Sequence, residues 1–227
     1  MDNSIYSVKN HVINSDVTHG GRTLVVQNIR YPQFTAKAEN SIQSRLALIM
    51  NRFYRGGALK YSSYASGKLA VKAERSVARG SKPFGAVMNC SVAFCDESYV
   101  SVIVDLSGFN GTDSVGQRVS QTWSIDKMST VPYSHFFKSD FTSKAFIKDK
   151  IVELARVHMS DPAFGYYGDC EKLIRKNFST ENFYLVPNGA AFYYDEGTLC
   201  DAKFGPSVFV LPFDRIDGVV KVTSSAG

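Results

Sequence analysis

The sequence predicts an α+β fold, with two or three helices packed on a curved, mostly antiparallel sheet. Three observations predict it. Strand-like stretches come in consecutive pairs, two stretches carry apolar residues at helical spacing, and the order is strand, helix, meander, helix, meander. The 227 residues, 44% hydrophobic and 21% charged, suffice for a buried core. They are read as one unit, with two packed subdomains of about residues 1–110 and 111–227 as the alternative.

The first two strands are "SIYSVKNHVI" and "RTLVVQNIRYP", around the turn-like "THGGR", with Pro32 ending the second. A helix follows from Ala36, because Ile42, Leu46, Ile49 and Phe53 recur at one-face spacing. "RGG" at Arg55 to Gly57 predicts its end, glycine being the usual residue past a helix. A weaker helical stretch runs to about Arg79. "VMNCSVAFCDESYVSVIVDL" reads as a hairpin whose second strand puts Val100, Val102, Val104 and Leu106 on one face, and Tyr99, Ser101, Ile103 and Asp105 on the other. "GFNGTDSVGQ" reads as a Gly-rich loop, "QRVSQTWSID" as a strand and "DKMS" as a turn. Within Ser143 to Met159, the residues Phe146, Ile147, Ile151, Leu154 and His158 predict a second helix. "CEKLIRKNF" predicts a short third helix, and "PSVFVLPF" a last strand.

Between these lies "NFYLVPNGAAFYYDEG", the strongest hairpin signal in the chain. A two-residue Asn188-Gly189 turn would set Val186 opposite Ala191, Leu185 opposite Phe192, Tyr184 opposite Tyr193 and Phe183 opposite Tyr194. Alternation then sorts Phe183, Leu185, Phe192 and Tyr194 onto one face, and Tyr184, Val186, Ala191 and Tyr193 onto the other. Neither face is polar. The amphipathic helices are the expected cover for one, and the meander around Val100 to Leu106 for the other.

Charge and motif searches exclude several functions. A net charge of +5, spread out apart from the base-dense Lys68 to Lys82, gives no basic stripe, so nucleic acid is not an expected partner. No apolar run approaches the ~20 residues of a membrane helix, and "MDNSIYSVKN" lacks a signal peptide's regions. The chain is read as cytoplasmic if Met1 is the natural start, or as an exported domain whose leader was removed. Cys90, Cys95, Cys170 and Cys200 fit no zinc spacing, so neither a metal nor any other cofactor is expected. Cys90 and Cys95, five steps apart on one strand, would stand about 16 Å apart, too far for a disulfide. Cys170 with Cys200 is left open, free buried thiols being the plainer reading of all four. "TDSVG" has Thr112 where a nucleophile elbow needs glycine, and "SSYASGKL" fails as a phosphate loop. His158 continues a helical apolar stripe and reads as packed. His135 lies among aromatics, and Asp105, Asp113 and Asp126 flank the Gly-rich loop without a spacing that establishes a carboxylate pair.

Three segments, in order, carry a family resemblance. "IRYPQFTAKAENSIQSRLALIMNRF" resembles the "YP" strand-then-helix opening of the extracytoplasmic domains of the anti-sigma factor RsiV and the peptidoglycan deacetylase PdaC. "QTWSIDKMSTVPYSHFFKSDFTSKAFIKDKI" is similar to their middle motif, and "NFYLVPNGAAFYYDEGTLCDAKFGPSVFVLPFDRI" to their closing one. The resemblance implies a non-enzymatic, extracytoplasmic binding or sensing module, taking cell-wall glycan or a cell-wall-active protein such as lysozyme. Deacetylation in PdaC belongs to a separate domain. Where the family often carries a Gly-Gly-Ala-His-Gly-like loop, this sequence has Gly108-Phe109-Asn110-Gly111, without the His. Lysozymes of the relevant type are basic, so a +5 partner would need acids at its contact face.

The expected ligand site is the loop from Gly108 to Gly116. Gly108, Phe109, Asn110, Gly111 and Asp113 form it, with Phe109 and Asn110 at the tip, assisted by Tyr166 and Tyr167. For those tyrosines core packing weighs equally. The rival is a hydrolase of cell-wall or carbohydrate material using Asp105, Asp113 or Asp126, with His135. The sequence does not give the oligomeric state.

Overall fold

The computed structural model describes residues 5–38, 41–109 and 114–222. The predicted α+β class holds: a mixed, unclosed six-stranded sheet, a second three-stranded sheet, and helices. Strands β1 (Tyr6–His19) and β2 (Arg22–Ala36) form a long antiparallel hairpin. Gly20 and Gly21 turn it at φ 54° and 75°, the two positive values that a type I′ turn requires. Pro32 does not end β2. It pairs with Asn10, and the strand continues to Ala36. The parallel pairing of β2 with β3 (Phe84–Cys95) covers only Val25 to Ile29, so proline's missing N–H interrupts no ladder on that side.

The helix after β2 also differs from expectation. It passes through Gly56 and Gly57 as α1 (Ser41–Tyr64), makes one π turn at Ala65–Leu69, and continues as α2 (Ala70–Ala78). Its buried stripe is Leu46, Ala47, Met50, Tyr54 and Ala58, whereas Ile42, Ile49 and Phe53 are exposed. Burying Met50, Tyr54 and Ala58 on either side of the glycines outweighs a cost of about 1 kcal/mol per glycine.

β4 (Tyr99–Phe109), β5 (Ser114–Ser124) and β6 (Ser129–Thr130) complete the first sheet in the order β1-β2-β3-β4-β5-β6. β4 and β5 reach further than predicted, so Gly108, Phe109 and Gly116 are strand residues. The chain divides into two compact units. Among the described residues, one comprises 5–38, 41–91, 104–109 and 114–117; the other comprises 92–103 and 118–222.

In the first of these units, α1 and the π turn lie on β2. Leu24, Val25, Ala65, Leu69, Ala70, Ala73, Phe84 and Ala86 form its core under α2.

The second unit adds α3 (Tyr133–Phe136), α4 (Phe141–His158), α5 (Cys170–Asn177), β7 (Phe183–Val186), β8 (Gly189–Tyr194) and β9 (Ser207–Pro212). Four residues are too few for periodicity to reveal α3. The β7–β8 register differs by two residues from the expected one: Phe183 faces Phe192, Tyr184 faces Ala191, and Val186 faces Gly189. The turn is Pro187-Asn188, with Asn188 at φ 58°, as a type II turn wants proline first and a positive φ second. Gly189 is a strand residue, needed because a Cβ there would stand 2.7 Å from the Leu211 carbonyl oxygen in β9. A two-residue slip preserves the faces. Phe183, Leu185, Phe192 and Tyr194 pack with Ile147, Ile151 and Ile174 of α4 and α5. Tyr184, Ala191 and Tyr193 pack with Ile103 of β4, as the meander was expected to provide.

Candidate functional site

The first unit contains a groove of about 570 Å³ where the helix passes the ends of β3 and β4. Its floor is made by glycines. A Cβ on Gly108 would fall well inside van der Waals contact with the Gly85 carbonyl oxygen, and one on Gly85 would come within 3.3 Å of the Phe109 nitrogen. Only glycine lets the two backbones approach so closely at this point. Phe84, Leu106 and Phe109 extend the floor.

The wall is built by the π turn. The Ala70 N–H reaches back to the Ala65 carbonyl, inserting one residue and rotating α2 about the helix axis by about 100°. Gln27, only 2% exposed on β2, pins this segment: its amide donates to Ser66 Oγ at 2.9 Å and accepts from Ser62 Oγ at 2.7 Å. Tyr61 and Tyr64 are thereby presented to the groove, rings stacked at 6.2 Å and 18°. The Tyr61 hydroxyl donates a long 3.4 Å bond to the Ser107 carbonyl. Burial, and secondarily Tyr64, raises the Tyr61 pKa, so the phenol stays a neutral donor. Lys72, Ser76 and Gln117 supply further polar groups, and among the described residues no carboxylate lines the groove. Such a site can stack an apolar ring face and hydrogen-bond its edge.

Of the predicted site residues, Gly108 and Phe109 line this groove. Asn110, Gly111 and Asp113 lie outside the described residues. Tyr166 belongs to the other unit and is a packing residue, bridging to Cys200 and lying against Phe209 and His158; burial pushes its pKa up to about 12. Tyr167 is exposed in that unit. Tyr61, Tyr64 and Gln27 are not among the residues expected from sequence, although "YSSY" within a helical stretch marks two rings on one face.

The residues of the hydrolase alternative are divided between the units. Asp105 lies in the first unit, Asp126 and His135 in the second, and Asp113 outside the described residues. His135 hydrogen-bonds Tyr99 Oη at 2.9 Å and Lys127 Nζ at 3.1 Å; burial, then Lys127 and Lys221, lowers its pKa. His158 is packed, stacking on Phe164 at 4.2 Å. No group of three or more His, Cys, Asp or Glu positioned to hold a metal occurs among the described residues. None of the four cysteines forms a disulfide.

This arrangement, a mixed, open sheet with a helix crossing between parallel strands and a second small sheet under helices, is similar to that of two solved DUF3298 structures. The chain is similar to a solved member of the DUF3298 family from Bacteroides fragilis, with TM-score 0.62 and 13% identity over 98% of this chain and 96% of that one. It is also similar to a DUF3298 family protein from Pseudomonas aeruginosa PAO1, with TM-score 0.61 and 15% identity over 96% of each chain. At these identities the likeness establishes the fold alone. No family model and no curated protein matches the sequence.

Proposed function

We propose that the chain is a non-enzymatic, extracytoplasmic binding domain that takes a cell-wall glycan in the Tyr61–Tyr64 groove. The observation that carries this is the stacked tyrosine pair over a glycine floor. Rigid aromatic rings offer large contact area at low entropic cost, and the carbon-rich face of a sugar ring matches them. Lys72, Ser76 and Gln117 would meet the hydroxyl, amide or carboxylate groups at the sugar's edge. The resemblance to RsiV- and PdaC-type domains, which are of the DUF3298 kind, supports a place outside the membrane. No described helix is long and apolar enough to cross a membrane.

Calorimetric titration with N-acetylglucosamine oligomers and muropeptides tests the reading. Binding that weakens by about tenfold or more in Tyr64→Ala is expected, since stacking contributes on the order of 1–3 kcal/mol per ring at comparable aromatic platforms. No heat with any of these glycans, or full affinity in Tyr64→Ala, would reject it. Release of new reducing ends during the titration would instead establish hydrolysis.

A further inference from the structure

A second surface of the first unit shows a different chemistry. Six of the chain's 26 basic residues, and none of its 21 acidic ones, fall between Glu39 and Glu74. Outside that stretch the chain is nearly neutral, so its net positive charge resides on one helical segment. On α1, Leu48, Arg52, Arg55 and Leu59 follow one another at spacings of four, three and four, which places them on a single face. That face is opposite the buried stripe of Leu46, Met50, Tyr54 and Ala58. Leu48 is 69% exposed and Leu59 49%. Neither arginine has an ion-pair partner among the described residues.

These four residues form one wall of a groove of about 710 Å³. His11, Tyr31, Pro32 and Gln33 of the β1–β2 hairpin form the other wall. That wall is fixed: His11 stacks on Tyr31 at 5.6 Å, and His11 Nε2 is bonded to Gln33 Oε1. At the base, the Asn51 amide is committed to the Phe34 backbone, and Gly56 leaves the wall open, with nothing within 4 Å of where a Cβ would sit.

We propose that this groove docks an acidic, amphipathic segment of a partner protein, its carboxylates on Arg52 and Arg55 and its apolar side chains on Leu48 and Leu59. Charge complementarity selects the sign of the ligand, because two guanidiniums without internal partners are ready to form charge-assisted pairs. The arginine pair flanked by leucines selects its class: a polyphosphate would leave both leucines in water, whereas a helix carrying Glu and Leu at helical spacing satisfies all four positions. Concavity favours a segment over a bilayer, which meets convex surfaces. This site is independent of the tyrosine groove.

The full chain would be titrated, by fluorescence anisotropy, into a labelled peptide with Glu and Leu at helical spacing and into its Lys/Leu counterpart. Phosphatidylglycerol vesicles would be tested by co-sedimentation. Binding of the Glu/Leu peptide alone is expected, weakening with salt and by about tenfold or more in Arg52→Glu/Arg55→Glu, with Tyr64→Ala without effect. Arg52→Gln/Arg55→Gln, which carries no new charge, should lose part of that affinity. Unchanged affinity in both double variants overturns the proposal. So does sedimentation with the vesicles in the absence of peptide binding.

Discussion

The side-chain amide of Asn51 on α1 takes the place of a neighbouring strand for Phe34 of β2. It accepts from the Phe34 N–H at 2.7 Å and donates to the Phe34 carbonyl at 2.9 Å. Pairing between β2 and β3 stops at Ile29, so both backbone groups of Phe34 would otherwise lack a partner on that side while its ring is buried between Tyr6 and Tyr54. Asn51→Leu should cost about 2 kcal/mol in urea unfolding, since leaving such groups unsatisfied costs about 1–3 kcal/mol each. Asn51→Asp should be destabilised too at neutral pH, because its carboxylate faces the Phe34 carbonyl without a proton to donate. Equal midpoints for wild type and Asn51→Leu would show that water satisfies Phe34 unaided.

Glycine substitutions should separate in sign. Gly57 lies in the interior of α1 with nothing within 4 Å of an added Cβ, so Gly57→Ala should stabilise by about 0.5–1 kcal/mol. Gly108→Ala drives a methyl group into backbone that cannot rotate away, and should destabilise by about 1–3 kcal/mol. It should also distort the tyrosine groove. Paired chemical-denaturation curves decide the matter, and a stable Gly108→Ala would contradict the close approach of β3 and β4.

The same two glycine sites show what could be read from sequence. Gly56 and Gly57 look like a helix stop because local chemistry ranks glycine last among the non-proline helix residues; α1 is carried onward by Tyr54 and Ala58 buried against β2, a long-range term absent from any local window. The apolar stripe looks weak beyond Tyr64 because the π turn breaks its period. The faces of β7 and β8 were legible despite the wrong register, since a slip of two residues conserves alternation. Gly108 and Phe109 read as a loop in the sequence but end β4 and line the groove. Tyr61 and Tyr64 join them only through the pinning of Ser62 and Ser66 by Gln27, 35 or more positions away.

Cys90 and Cys170 should be chemically quiet in the folded protein. Burial, aided by Asp105, pushes the Cys90 thiol up to about 12, and burial, aided by Cys200, pushes Cys170 up to about 11. At pH 8 the reactive thiolate would be only about one part in a thousand or less at either site. Iodoacetamide labelling followed by mass spectrometry should therefore leave Cys90 and Cys170 unmodified until denaturant is added, when all four thiols react. Native labelling of Cys90 at the rate of a free thiol would mean that β3 is open to solvent.

Acid should loosen α4 first at its N-terminus. Asp140 is the N-cap, accepting from the Ser143 N–H at 2.9 Å and from Ser143 Oγ at 2.6 Å. The first turn of α4 contains no acidic residue, while Lys144 and Lys148 come next, so the Asp140 charge is what opposes the helix dipole there. The hydrogen bond from the Ser143 side chain, then that from its backbone, holds the Asp140 pKa below its ordinary 3.8. With the folded pKa depressed, the cap's contribution is fully present above the unfolded value and is lost as pH falls through the folded one. Asp140→Ala should lower the thermal midpoint at neutral pH and approach wild type in acid without reaching it, because a protonated carboxyl still offers an oxygen to the Ser143 N–H. Asp140→Asn keeps the capping oxygen without the charge, and its difference from wild type should vanish over the same acid range. Wild type and Asp140→Ala losing stability in parallel from neutral pH downward would show that the carboxylate makes no pH-dependent contribution to the fold.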